Sequence, residues 1–166
     1  MDLPAFVFPL LRVVRIPAAV KWHLARVLNT HFLLGVAGVV HDDEGRLLLF
    51  KHTYRKRYPW GLPGGWMSRG ESPLEGLKRE IYEESKLEIA PERLLLIGTS
   101  RDRPKMEFIV SARVVGGSFT PSPEVSEHGW FAPAELPPLA LFHRLILARL
   151  ESHDGGLGWY DAPWTP

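Results

Sequence analysis

The segment Gly65-Trp-Met-Ser-Arg-Gly-Glu71-Ser-Pro-Leu-Glu-Gly-Leu-Lys-Arg79-Glu80-Ile81-Tyr-Glu83-Glu84-Ser-Lys86-Leu87 decides how this 166-residue chain is read. Glu80, Glu83 and Glu84 fall at i, i+3 and i+4. On a helix that spacing sends all three carboxylates from one face. Like charges so placed repel unless a cation lies among them. The simplest reading is a divalent-metal site, and through it metal-assisted chemistry on a phosphate.

The helix start is written in its first residues. Ser72 suits the N-cap, Pro73 the first helical position, and Glu75 lies three beyond the cap, which completes a capping box. A helix over 72–86 follows, with its phase fixed. Phase matters because ligating side chains must be held to within about half an ångström. Leu74, Leu77 and Ile81 supply the buried stripe. Arg79 stands four residues from both Glu75 and Glu83, so pairing along the helix is expected. Such a pair, exposed, gives only about 0.3–0.5 kcal/mol, and orienting a carboxylate is the better use of the arginine. Gly64 and Gly65 let the backbone come close to the helix, and their carbonyls are hard oxygen donors.

Working outward, residues 32–41 read as a buried strand, 42–45 as a turn and 46–51 as a returning strand, together a hairpin. Residues 52–62 form a basic, aromatic loop that ends at Pro63-Gly64-Gly65. Strands are expected at 94–100 and 107–115 around a polar turn, and a short one at 128–131. Residues 116–126 read as a loop. A second helix is expected over 139–150, with Leu141, Leu145 and Ala148 on its apolar face. The tail from Asp154 reads as irregular. Strands flanking a central helix, then more strands and a closing helix, imply an α/β fold with a mixed sheet and helices against it. No dinucleotide fingerprint or Walker loop is present.

Residues 1–30 form an apolar and basic extension, residues 31–153 the domain and 154–166 the tail. In the extension Pro9 and Pro17 break any long helix, while Val20, Leu24 and Leu28 support one from Ala18 to Leu28. The extension is expected to pack on its own domain or on a partner, which makes a homodimer contact possible. A peripheral membrane anchor is the less favoured use.

Composition excludes several classes. The net formal charge is +1, so nothing draws the whole chain to nucleic acid. Cysteine is absent, which removes disulfides, thiolate zinc sites and a cysteine nucleophile and fits a cytoplasmic protein. The seven histidines show no metal-ligand spacing. No apolar run reaches transmembrane length, and the Met-Asp start lacks a basic leader. The charge is nonetheless uneven. Lys51, Arg55, Lys56 and Arg57 crowd into 51–57, and six glutamates fall in 71–88. A basic loop beside an acidic helix suits an anion bridged by metal; two solvated faces of opposite sign are the alternative.

Gly65, five residues, Glu71, seven residues, Arg79-Glu80-Ile81, one residue, Glu83-Glu84, two residues and Leu87 resemble the signature box of the Nudix hydrolases. The preceding Trp60-Gly-Leu-Pro-Gly-Gly65 resembles the entry to that box, and a weaker resemblance extends over about residues 32–150. One position departs: Lys86 stands where the family has a glycine that ends the helix in a left-handed turn. A lysine there costs about 1 kcal/mol or forces another helix ending, which puts the turn in doubt more than the chemistry.

The resemblance implies an α/β/α sandwich and hydrolysis of a nucleoside diphosphate linked to another group. It implies Mg²⁺, with Mn²⁺ as the alternative, bound by Glu80, Glu83, Glu84 and the Gly65 carbonyl. It implies that Arg79 orients these ligands and that Glu71 fixes the loop or joins the metal shell through water. The base that takes the proton often lies outside the box; Glu127 is preferred here, with Glu83 next and Glu124 also available. For the small nucleotide, Lys51, Arg55 and Arg57 are the phosphate candidates, and Tyr54, Tyr58 and Trp60 the stacking candidates, Trp60 more as packing. Diphosphate sugars such as ADP-ribose and nucleoside triphosphates are equally favoured substrates. A non-catalytic nucleotide-binding module and an RNA 5′-end pyrophosphohydrolase are the competing readings. The first typically loses box glutamates, all kept here, and the second finds no basic track.

Overall fold

The computed structural model describes residues 17–100, 103–152 and 157–162. The chain divides into two compact units, Met1–His31 and Phe32–Pro166. In the first, α1 spans Ala18–Leu28 as predicted; Asn29 closes it, its Nδ2 donating to the Ala25 carbonyl at 2.6 Å. Pro9 and the basic residues before Ile16 lie outside the described residues, as does the start of the polar turn at residues 101–102. Among the described residues no helix is long and apolar enough to cross a membrane.

The second unit is built on one sheet of eight strands: β1 (Leu33–His41), β2 (Leu47–His52), β3 (Trp60–Gly61), β4 (Gly64–Trp66), β5 (Leu87–Ser100), β6 (Lys105–Gly117), β7 (Val125–Phe131) and β8 (Gly158–Ala162). The main order is β3-β2-β1-β6-β5-β8, with β4 paired to β1 and β7 to β2. The sheet is mixed, because β1 runs parallel to β6 over nine residue pairs, and β5 parallel to β8, while the other pairs are antiparallel.

Both faces are covered, which explains why β1 and β2 are nearly continuous apolar runs rather than alternating ones. Val36, Val40, Leu48, Phe50 and Val110 pack with Leu77 and Ile81 of α2 (Pro73–Ser85). Ala37, Val39, Leu47, Leu49 and Ile109 pack on the other face with Ile146 of α3 (Leu141–Glu151). The period of two along each strand thus sorts residues between the two helices. Each fully buried leucine, isoleucine or phenylalanine contributes about 1.5–3 kcal/mol.

Several expectations are corrected. Gly64–Trp66 is not a simple break but β4, a three-residue strand on β1. β5 begins at Leu87, well before residue 94; Pro91 lies where its register with β6 shifts, and a proline at a bulge is tolerated where one inside a regular ladder is not. β7 starts at Val125, three residues early. The tail contributes β8 to the sheet edge, its partner 62 residues upstream in sequence (Leu96 opposite Gly158). In α3 the buried residues are His143 and Ile146, whereas Leu141 and Ala148 are exposed. The predicted face was off because a histidine occupies the most buried stripe.

Candidate active site

The capping box forms as the sequence requires. Ser72 N–H donates to Glu75 Oε2 at 2.8 Å and Glu75 N–H to Ser72 Oγ at 3.4 Å. The helix ends at Lys86, which adopts φ 61° in the left-handed region, and its N–H reaches the Tyr82 carbonyl. The chain therefore keeps the left-handed turn and places a lysine in it.

Between these ends one guanidinium organises the acids. Arg79 Nε and Nη2 grip Glu71 at 2.9 and 2.7 Å, and Nη1 reaches Glu80 at 2.9 Å and Glu83 at 3.2 Å. Nη2 also donates to the Trp66 carbonyl at 2.9 Å. The expected pairing with Glu75 is absent, because Glu75 is engaged in the cap. Arg79 and the Ser68 N–H bond to Glu71 and hold its carboxyl down at about 2. Burial acts the other way on Glu80 and raises its pKa.

Glu84 is the strained member. Its Oε2 is buried and has no hydrogen-bond partner. Burial, then the charges of Glu80 and Glu124, push its pKa up to about 8. An added cation is what this carboxylate lacks. Gly64 holds φ 143° against the Val36 carbonyl, and a Cβ on Gly65 would fall on the Glu80 carboxylate. Backbone and helix thus meet as closely as glycine permits. Among the described residues no three acidic or histidine side chains converge into a closed metal cage; Arg79 draws Glu80 and Glu83 toward itself. The orphan oxygen of Glu84 and the glycine cradle beside Glu80 still fit a hard divalent ion.

A cleft of about 880 Å³ opens beside Gly64 and Gly65, lined also by Arg55, Tyr58, Lys105 and Glu107. Arg55 and Arg57, from the basic loop, line it together with Tyr54 and Tyr58. Arg55 stands at the junction. Its charge acts on Glu84, on Glu107 and on His143. Its Nη1 lies 3.0 Å from His143 Nε2 on α3. Burial, then Arg55, hold His143 near 3, so the ring is neutral.

Lys51 and Glu127 fall elsewhere. They are cross-strand partners on β2 and β7, with Nζ 2.7 Å from Oε1. Lys51 follows Leu47 and Leu49 along the face that carries α3, so this ion pair is on the opposite side of the sheet from the glutamates of α2. Glu124 is an acid outside the box whose charge Glu84 feels. Trp60 packs edge-on against Phe131, with ring centres 5.1 Å apart, and is a packing position. His143, Glu107, Ser100 and Tyr160 were not singled out from sequence. Only Glu107 left a trace there, a lone acid in an apolar strand.

A NUDIX domain family matches residues 31–150. The chain is 32% identical over 137 residues to the zebrafish (Danio rerio) 8-oxo-dGDP phosphatase NUDT18, an alignment covering 79% of this chain and 40% of that protein. It is 30% identical over 124 residues to the ADP-ribose pyrophosphatase of Methanocaldococcus jannaschii, covering 72% of this chain and 73% of that protein. In fold it is similar to the crystal structure of a Nudix hydrolase from Nitrosomonas europaea, with TM-score 0.68, 22% identity and 81% of each chain covered. With the box acids on α2, the glycine turn before it and the mixed sheet all in place, the chain belongs to the Nudix hydrolase family, whose members typically depend on a divalent metal.

Proposed function

We propose that this protein hydrolyses the pyrophosphate bond of a small nucleotide carrying a diphosphate, with Mg²⁺ or Mn²⁺ bound by Glu80, Glu83, Glu84 and the Gly65 carbonyl. The observation that carries the reading is the buried, unpartnered carboxylate of Glu84, which feels the charge of Arg55, a residue lining a cleft of nucleotide size. The names of two relatives, one a phosphatase of a nucleoside diphosphate and one a pyrophosphatase of ADP-ribose, favour diphosphates over triphosphates.

A divalent ion in this position neutralises phosphate oxygens and makes a neighbouring water a better acid. The remaining work falls to the chain. Arg55, held by neutral His143, binds a phosphate oxygen on the cleft side, and Arg57 adds charge at its rim. Tyr58 and Tyr54 offer faces for stacking. Arg79 does not touch substrate; it fixes Glu80 and Glu83 through Nη1 while Glu71 anchors its other edge. We take Glu124 rather than Glu127 as the acceptor of the proton from water, supported by the action of the Glu124 charge on Glu84 and by the ion pair that engages Glu127 with Lys51.

The test is a nucleotide panel with Mg²⁺ or Mn²⁺, with products identified by mass. Diphosphate-linked nucleotides should give nucleoside monophosphate, and E83Q and E84Q should lose at least 100-fold in kcat. Absence of turnover across diphosphates, diphosphate sugars and triphosphates defeats the proposal.

A further inference from the structure

We propose that α1 (Ala18–Leu28) is a lipid-binding helix that lays the protein on an anionic membrane surface. None of its 11 residues is buried. Val20, Trp22, Leu24, Val27 and Leu28 are all exposed, five large apolar side chains within one short helix. Pro17 supplies no side-chain cap, and the first turn holds no acid. A helix this short is marginal in water by itself, and in proteins such helices draw their stability from a surface that covers their apolar face. In α1 the face is present, and among the described residues nothing buries it.

The arrangement around the helix axis favours lipid. Val20, Leu24, Val27 and Leu28 recur at i, i+4, i+7 and i+8, which makes one stripe. Lys21 and His23 border that stripe on its two sides. A lysine so placed reaches with its stem along the acyl boundary and with its ammonium to the lipid phosphates. On the far side Arg26 lies over the Trp22 ring, 6.0 Å from its centre. Indole and guanidinium both suit the headgroup layer. The helix rests on the bilayer rather than crossing it, because it has 11 residues where a span needs about 20.

Charge selects the kind of lipid. Residues 1–41 carry Arg12, Arg15, Lys21 and Arg26 against one acid, Asp2, a net of +3. The rest of the chain carries sixteen lysines and arginines against eighteen acids, a net of −2. An anionic surface therefore attracts the N-terminal segment and not the remainder, so the extension is what orients the protein on it. A groove on a second copy of the chain would cover the Val20–Leu28 stripe and leave the Trp22 ring in water, whereas a headgroup layer takes both.

The experiment uses the full chain with vesicles of phosphatidylcholine, alone or with about 30% phosphatidylglycerol, read by co-sedimentation at low and high salt. Wild type should bind the mixed vesicles about 10-fold or more tightly than the neutral ones, and high salt should shrink the difference. V27E puts an acid in the stripe, and K21E/R26E reverses the charge beside it. Each should weaken binding to the mixed vesicles by about 10-fold or more, with the melting temperature of the domain unchanged as the control for folding. The mixed vesicles should also shift tryptophan emission to the blue in wild type, and W22F should lose most of that shift. No binding to the mixed vesicles, equal binding to both kinds, or binding that survives in both V27E and K21E/R26E overturns the assignment. A dimer in sedimentation velocity that V27E dissociates, without lipid binding, also overturns it and gives the helix to a second copy.

Discussion

Arg55 and His143 meet at 3.0 Å between Nη1 and Nε2, which ties the basic loop after β2 to helix α3 across the cleft. An arginine can only donate, so Nε2 must offer its lone pair and the ring must be neutral. The same contact that aims the guanidinium therefore forbids the imidazole from charging.

Removing the acceptor should release Arg55. A hydrogen bond to a charged group is worth about 1.5–3 kcal/mol, so H143A should raise KM for a nucleoside diphosphate about 10-fold or more, with kcat changed less. H143N keeps an acceptor and should recover part of the loss. Steady-state kinetics on the two variants check this; equal KM in wild type and H143A removes the positioning role.

The neutral histidines set a pH limit on stability. His143 and His52 are held near 3 by burial, then by Arg55, against about 6.5 in the unfolded chain. Below 6.5 the unfolded state binds more protons, so this contribution is complete above pH 6.5 and is lost as pH falls toward 3, by at most about 1.4 kcal/mol per unit for each ring. Glu84 has the opposite sign: its raised pKa gives stability that is fully present below about 4.5 and lost as pH rises through about 8. Urea unfolding of E84Q at pH 7, 6 and 5 separates the two. Stability should decline in that series, and decline less with H143N added.

Glu84 itself should be a liability without metal. E84Q removes a buried carboxyl that burial and the charges of Glu80 and Glu124 keep from ionising, and should raise the metal-free stability at pH 7 by about 1 kcal/mol or more while abolishing turnover. Thermal melts with and without 5–10 mM-range Mg²⁺, on the order of a thousand-fold excess over protein, should show stabilisation in wild type and much less in E84Q.

At Gly65 the cost of a methyl falls on function. The backbone there is not left-handed, so alanine is tolerated by the main chain, but its Cβ displaces the Glu80 carboxylate. Misplacement by about 1 Å can cost on the order of 100-fold. G65A should therefore lose kcat by that order while the melting temperature moves only a few degrees; retained activity contradicts the cradle.

Lys86 makes a prediction of opposite sign. Its φ of 61° favours glycine by about 1 kcal/mol, offset in part by the loss of its ammonium over the Tyr82 ring at 4.9 Å. K86G should raise the melting temperature by about 1–3 °C with activity unchanged. A lower melting temperature in differential scanning calorimetry would show that the lysine stem stabilises the turn.

What the sequence made legible was local. Ser72, Pro73 and Glu75 announce where α2 starts, and the i, i+3, i+4 glutamates mark the face that matters, because both depend on neighbours within one helical turn. The cleft was not legible. Its wall joins Ser100, Glu107 and Tyr160 through pairings of β5 with β6 and of β5 with β8, the second parallel and distant in sequence. No short pattern announces such a pairing. The surroundings of Glu127 were illegible for a related reason. Its distance from Trp130 was visible, but the side of the sheet it faces depends on register with β2, which shifts at Lys51 and His52.

The fork of Arg79 has a thermodynamic consequence. Because one guanidinium already spans Glu71, Glu80 and Glu83, the acidic face carries its own internal counterion when no divalent ion is bound. Metal uptake is then an exchange between two cations rather than the filling of bare charge. The domain can keep its shape through cycles of loading and release, at the expense of some affinity for the ion.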